Sequence, residues 1–259
     1  MKILILYFSG TGNTLYAVKC FKEVAERFGH DIIIQSIEEG KPIKGGTYDK
    51  LVLGYPKYYE NVPLFFLQYL KKNLPESNKT IETMAFCTQA DALTTDFSII
   101  EKVLKQKNHL LTVAKSFSVA NNMIIFNIFH QTDESVFKNN IAELKKETEQ
   151  SLKAFLNDEV HIERINPVKV KMYWLVAKMA TKIMPAFEMK FSASERCSSC
   201  GLCSAKCPKN NIKVETGIPQ FGKNCIFCMR CINNCPQNAI LFNKSTRSQY
   251  KLIKQIEKQ

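Results

Sequence analysis

The chain has 259 residues, 45% of them hydrophobic and 23% charged, with ten cysteines and a formal net charge of +12. That length accommodates one large or two ordinary globular domains. No apolar run, Ile3–Phe8 and Met172–Ala177 being among the longest, approaches the roughly 18 residues that span a bilayer, so a transmembrane segment is excluded.

The first strand is KILILYF, residues 2–8, a continuous apolar run of the kind buried on both faces of a parallel sheet. It is too short for a signal peptide and runs into a glycine turn with no cleavage site, so the chain is expected in the cytoplasm. Residues 14–28 then place Ala17, Val18, Phe21, Val24, Ala25 and Phe28 on one helical face, with Gly29 to end the helix. DIIIQSI, YDKLVLGYP, IETMAFCT and HLLTVAKSFSV read as four more strands, separated by helices at 63–73 and 95–107. A last helix, capped by Asp133, reaches about Asn157. Strands alternating with helices imply a parallel sheet with right-handed crossovers, covered on both faces.

The first strand ends in SGTGNT: Ser9, Gly10, Thr11, Gly12, Asn13 and Thr14. The glycines permit close backbone approach, the following helix points N–H groups and the positive end of its dipole at the turn, and three hydroxyls add donors. Together they suit a phosphate. No Gly-Lys-Ser/Thr follows, and Leu15 breaks a Gly-x-Gly-x-x-Gly pattern, which disfavours triphosphate and dinucleotide binding.

SGTGNT resembles the phosphate loop of flavodoxins, and the five-strand count agrees. The resemblance implies a flavodoxin-like α/β fold, a doubly wound five-stranded parallel sheet of order 2-1-3-4-5, with FMN held at the carboxyl ends of the strands. It makes GYPKYYENVP, 54–63, the loop over the flavin ring, with Pro56, Tyr58 and Tyr59 as contacts, and TQADAL, 88–93, the loop at its other edge, with Thr88 and Gln89. Two features depart from the family pattern. The second loop lacks an aromatic, and 57–61 lacks glycine, leaving Asn61 as the residue best suited to an unusual backbone angle.

Eight of the ten cysteines lie between Cys197 and Cys235. Cys20 and Cys87 stand apart and read as buried structural thiols. CSSCGLCSAKCP, 197–208, recurs in spacing as CIFCMRCINNCP, 225–236, and the repeat continues as CPKNNI and CPQNAI. Soft thiolates select zinc, Cu(I) or iron–sulfur. Zinc sites commonly use two C-x-x-C pairs, often with histidine, and no histidine follows His161. The duplicated pattern resembles that of bacterial two-cluster ferredoxins, a small α+β domain. That resemblance implies two 4Fe–4S clusters, one on Cys197, Cys200, Cys203 and Cys235, the other on Cys225, Cys228, Cys231 and Cys207, the fourth ligand of each coming from the other repeat. The core open to this domain is small: Ile212, Val214, Ile218, Phe221, Ile226, Phe227, Ile240 and Phe242.

Charge follows the cysteines. Residues 1–160 carry 19 Lys/Arg and 19 Asp/Glu, while 161–259 carry 17 and 5. The expected organisation is therefore a flavin-type domain over 1–160, a connector over 161–190, a cluster domain over 191–243 and a basic tail over 244–259. In the connector, a helix bounded by Pro167 and Pro185 puts Lys171, Lys178 and Lys182 on one face and Met172, Val176, Met179, Ala180 and Ile183 on another. It reads as a packed linker, or as a membrane-surface helix over 168–185. The tail reads as solvated, or as a dock for redox partner proteins with acidic surfaces. Nucleic acid is disfavoured, because no recognition motif accompanies the charge.

The whole chain resembles flavodoxin–ferredoxin fusion proteins, which implies electron transfer between the two clusters and FMN. One alternative is an FMN-dependent reductase of a quinone or nitro compound, fed by the clusters. Another is a membrane-surface or nucleic-acid adaptor acting through the basic region.

Overall fold

The structure is a computed structural model that describes residues 1–90, 95–126, 130–188, 190–251 and 256, apart from the side chains at 180, 181 and 184–188. The chain divides into two units. The first comprises Met1–Ala120 and Glu134–Ala177, the second Asn121–Asp133 and Lys178–Gln259.

In the first unit the strands are β1 (Lys2–Tyr7), β2 (Asp31–Ser36), β3 (Lys50–Pro56), β4 (Ile81–Gln89), β5 (His109–Ser118) and β6 (His161–Ile162). They form one parallel sheet of order β2-β1-β3-β4-β5-β6. Its first five strands have the doubly wound, flavodoxin-like order. The sixth, two residues beside Val113 and Ala114, was not expected, being too short to carry a periodic signal. The helices are α1 (Asn13–Arg27), α2 (Leu64–Asn73), α3 (Ser98–Lys105) and α4 (Glu134–Leu156).

The central strands are buried on both faces, which is why their sequences read as unbroken apolar runs: Leu6, Leu51, Leu53, Ala85 and Phe86 are inaccessible to solvent. Gly54 in β3 is dictated by packing, since a Cβ there would lie 2.4 Å from Cζ of Phe86, whose ring stacks on Phe21 at 4.9 Å. Gly29 ends α1 at φ 77, with the His30 N–H donating to Ala25 O and the Gly29 N–H to Glu26 O, a Schellman arrangement. Lys50 is buried, and its ammonium is paired with Glu82, with Asp158 at 2.5 Å and with Phe155 O at 2.9 Å, as a buried cation requires.

The second unit contains β7 (Phe191–Ala193), α6 (Leu202–Ala205), β8 (Ile212–Val214), β9 (Pro219–Phe221), α7 (Arg230–Asn234), β10 (Ile240–Phe242) and β11 (Ser245–Thr246). These form an antiparallel sheet of order β11-β10-β7 and a β8-β9 hairpin. Its core is larger than the sequence indicated. Phe191, Phe227, Met229, Ile232, Ile240 and Phe242 pack with Ile124 and Ile125, and Met123 and Phe126 lean on the same cluster. Residues 123–126, between β5 and α4 in sequence, thus add apolar area to the cysteine-bearing part of this unit. Ile218, expected in the core, is 59% exposed, because it follows Gly217 (φ 82) in the β8-β9 turn. Nor is the tail solvated throughout, although residues 244–246 are exposed. Tyr250 is buried, its N–H donates to Asn233 Oδ1 at 2.6 Å, and Gln249 Nε2 donates to Ile232 O and Cys235 O.

Between Ala177 and Lys178 the unit boundary crosses α5 (Pro167–Glu188). Pro167 opens the helix rather than preceding it, a position where its missing N–H costs nothing. Pro185, expected to end the helix, falls inside it.

Candidate functional sites

In the first unit, the loops following β1, β3, β4 and β5 gather at the carboxyl end of the sheet. Gly12, at φ 113, turns the chain from β1 into α1 and precedes the helix with no capping side chain. No acid occupies the first turn, so nothing opposes an anion at the positive end of the helix. Ser9, Thr11, Asn13 and Thr14 are all buried or nearly so. Ser9 Oγ accepts from the Leu15 N–H at 3.2 Å, which fixes the hydroxyl inside the loop.

The structure brings the expected residues of the β1 and β4 loops together. Thr14 Oγ1 lies 2.8 Å from Thr88 Oγ1. The Lys57 N–H donates to Thr88 O at 2.9 Å, and the Val119 N–H donates to Gln89 O at 2.8 Å. Asn13 Nδ2 donates to Ala120 O at 3.0 Å. Gln89 is buried and accepts from Thr95 Oγ1 at 3.2 Å. Thr95 and the Ala120 carbonyl went unnoticed in the sequence because their roles depend on loop convergence, which no local pattern encodes. Positions 91–93 of the TQADAL loop lie outside the described residues.

After β3, which ends at the partly exposed Pro56, the chain makes a tight turn. The Tyr58 and Asn61 N–H groups donate to each other's carbonyls at 2.9 Å, with Tyr59 at φ 49 and Glu60 at φ 60. The left-handed angles therefore fall on Tyr59 and Glu60, not on Asn61. Each non-glycine residue so placed costs on the order of 1 kcal/mol, which surrounding contacts must offset. Those contacts are visible: Asn61 is fully buried with Nδ2 donating to Tyr59 O, and the Lys57 ammonium, itself buried, pairs with Glu60 at 2.7 Å. Tyr58 and Tyr59 are partly exposed and edge-to-face at 6.4 Å, and Tyr58 also meets Phe65 at 5.9 Å. The donor set of the first loop, with two partly exposed tyrosines on the third, fits a phosphate-bearing aromatic cofactor.

Cys20 and Cys87 are buried, and burial pushes both thiols up to about 11, as inert structural thiols should behave. His109 begins β5, at the opposite end of the sheet from these loops, with Nδ1 2.8 Å from Lys107 O.

The second unit carries the cysteine repeat in its backbone as well as its spacing. Ser199 (φ 56), Gly201 (φ 69) and Asn210 (φ 49) correspond to Phe227 (φ 52), Met229 (φ 58) and Asn238 (φ 46), each pair 28 positions apart. The Asn211 N–H donates to Cys207 Sγ at 3.3 Å, and its counterpart, the Ala239 N–H, donates to Cys235 Sγ at 3.2 Å. Two cavities result. One is lined by Cys225, Cys228 and Cys231 together with Cys207. The other is lined by Cys197, Cys200 and Cys203 together with Cys235. Each groups three cysteines of one repeat with the last cysteine of the other.

Among the described residues, no three Cys, His, Asp or Glu side chains converge tightly enough to hold a single metal ion. Four thiol groups line each cavity, a soft donor set of the kind that zinc and iron–sulfur centres share. Burial pushes the Cys203 and Cys231 thiols up, with neighbouring cysteines of the same cavity adding to the effect.

Neither family models nor curated proteins give a match to the chain. Among solved structures, a flavodoxin from the domain Archaea is similar at 14% identity and a TM-score of 0.42, over 60% of this chain and 99% of that one. Oxidised flavodoxin 1 from Bacillus cereus gives 14% and 0.42, over 59% and 98%. Rubredoxin oxygen:oxidoreductase from the anaerobe Desulfovibrio gigas gives 12% and 0.39, over 61% and 36%.

Proposed function

We propose that this chain is an electron-transfer protein holding FMN in its first unit and two 4Fe–4S clusters in its second. When bound, the clusters supply one-electron centres and the flavin a one- or two-electron centre. The observation that carries the reading is the lining of the two cavities, where each set of three closely spaced cysteines meets the C-terminal cysteine of the other repeat.

The protein's part is to hold and tune these groups. Cys197, Cys200, Cys203 and Cys235 would ligate one cluster, and Cys225, Cys228, Cys231 and Cys207 the other. The N–H donors of Asn211 and Ala239 draw charge from the Cys207 and Cys235 sulfurs, one way a protein adjusts cluster potential. Ser9–Thr14 would hold the flavin phosphate, with Tyr58 or Tyr59 against the ring. The excess of basic residues after residue 160 suits redox partners with acidic surfaces.

Anaerobic rapid mixing with a low-potential one-electron donor tests the reading. Flavin reduction in the intact chain is expected to be at least about a hundredfold faster than in a variant lacking Cys200 and Cys228. Equal rates would rule out an internal path. Sustained turnover of a quinone or nitro compound without a partner protein would instead identify a reductase.

A further inference from the structure

We propose that the exposed face of α5 rests on an anionic membrane surface. Val168, Met172, Leu175, Val176, Met179 and Ile183 are each at least 49% exposed. At 100° per residue their spacing confines them to an arc of about 100°, and at 1.5 Å per residue the stripe runs about 22 Å. The other side of the helix faces inward: Ala177 is buried, and Val170, Tyr173 and Trp174 are partly buried. One face thus anchors the helix to the protein while an unbroken apolar stripe faces out.

Charge defines the occupant. Lys171, Lys178 and Lys182 border one edge of the stripe and Lys169 the other, all exposed, and no acid occurs from Pro167 to Phe187. Lysine stems lie along apolar surface while their ammonium groups reach headgroup phosphates. A second copy of the chain would bring the same lysines together, between molecules of net charge +12. An acidic protein groove would have to enclose a helix whose opposite side is already covered, whereas a bilayer touches only the open arc. Among the described residues no helix is long and apolar enough to cross a membrane, so α5 would lie in the interface.

The test is co-sedimentation of the full-length protein with vesicles of phosphatidylcholine, alone or with about one-third phosphatidylglycerol. Each lysine near an anionic surface contributes about fivefold in partitioning. Binding to the mixed vesicles is expected to exceed that to phosphatidylcholine by at least about tenfold. Met172→Asp with Met179→Asp, and separately Lys171→Gln with Lys178→Gln and Lys182→Gln, should each reduce it by at least about tenfold. All five positions are exposed, so urea unfolding should be unchanged in both variants. The proposal is overturned by absence of binding to the mixed vesicles, or by binding that survives the two aspartates, which would place the contact on basic surface elsewhere. It is equally overturned if the stripe mediates self-association or binds an acidic protein while vesicles are ignored.

Discussion

Replacing Cys200 and Cys235 together with serine should leave one intact four-iron cluster per chain, whereas replacing Cys200 and Cys207 together should leave none. The two double variants remove the same number of thiolates. The first takes one thiolate from each repeat but both from one cavity, and the second takes both from one repeat but one from each cavity. Cys200 and Cys235 line the same cavity, while Cys207 lines the one formed by Cys225, Cys228 and Cys231. Iron content with low-temperature electron paramagnetic resonance of the reduced protein separates the outcomes. If each repeat instead held its own four-cysteine cluster, the results would invert. Ile124 and Ile125 share the apolar core of the second unit with Phe191 and Phe242, and although Cys203, Cys225, Cys231 and Cys235 also pack against it, this added area helps the variants remain assayable.

The second large effect concerns the first loop. Thr11→Glu is expected to weaken FMN binding by at least about a hundredfold while leaving iron content unchanged. Thr11 is nearly buried beside the start of α1, where the acid-free first turn favours an anion. A carboxylate within about 4 Å of a phosphate, at the effective dielectric near a protein surface, opposes it by a few kcal/mol. Thr11→Val removes only a hydroxyl and should cost no more than about tenfold. Fluorescence titration of flavin into the flavin-free protein measures both. Unchanged affinity in Thr11→Glu would remove the loop from the phosphate site.

The features legible in the sequence were those with local signatures. The glycine-hydroxyl turn at Ser9–Thr14 lies directly between an apolar run and an amphipathic segment, and the first five strands each announce themselves as short apolar runs, although the edge strand β2 has no buried residue. The cysteine repeat itself was legible in its spacing, and the resemblance to two-cluster ferredoxins led to the expectation of cross-paired ligand sets; the cavities group the cysteines in the same way. Features set by distant partners were not legible. Nothing in MIIF, 123–126, says that it will pack on Phe242 rather than on the unit that precedes it in sequence. His161–Ile162 becomes a strand only because the edge of β5 is open beside it. Tyr59 and Glu60 take left-handed angles against their own preference, because the Tyr58–Asn61 pairing and the buried Asn61 impose them. The burial of Tyr250 was hidden in a stretch whose composition reads as solvent-exposed.

The most direct measurement of the account is anaerobic analysis of iron, acid-labile sulfide and flavin in the purified full chain. The account predicts about eight irons, about eight sulfides and one FMN per chain, as two 4Fe–4S clusters and one flavin require. Zinc in place of iron, or iron with no flavin bound or bindable, would contradict it.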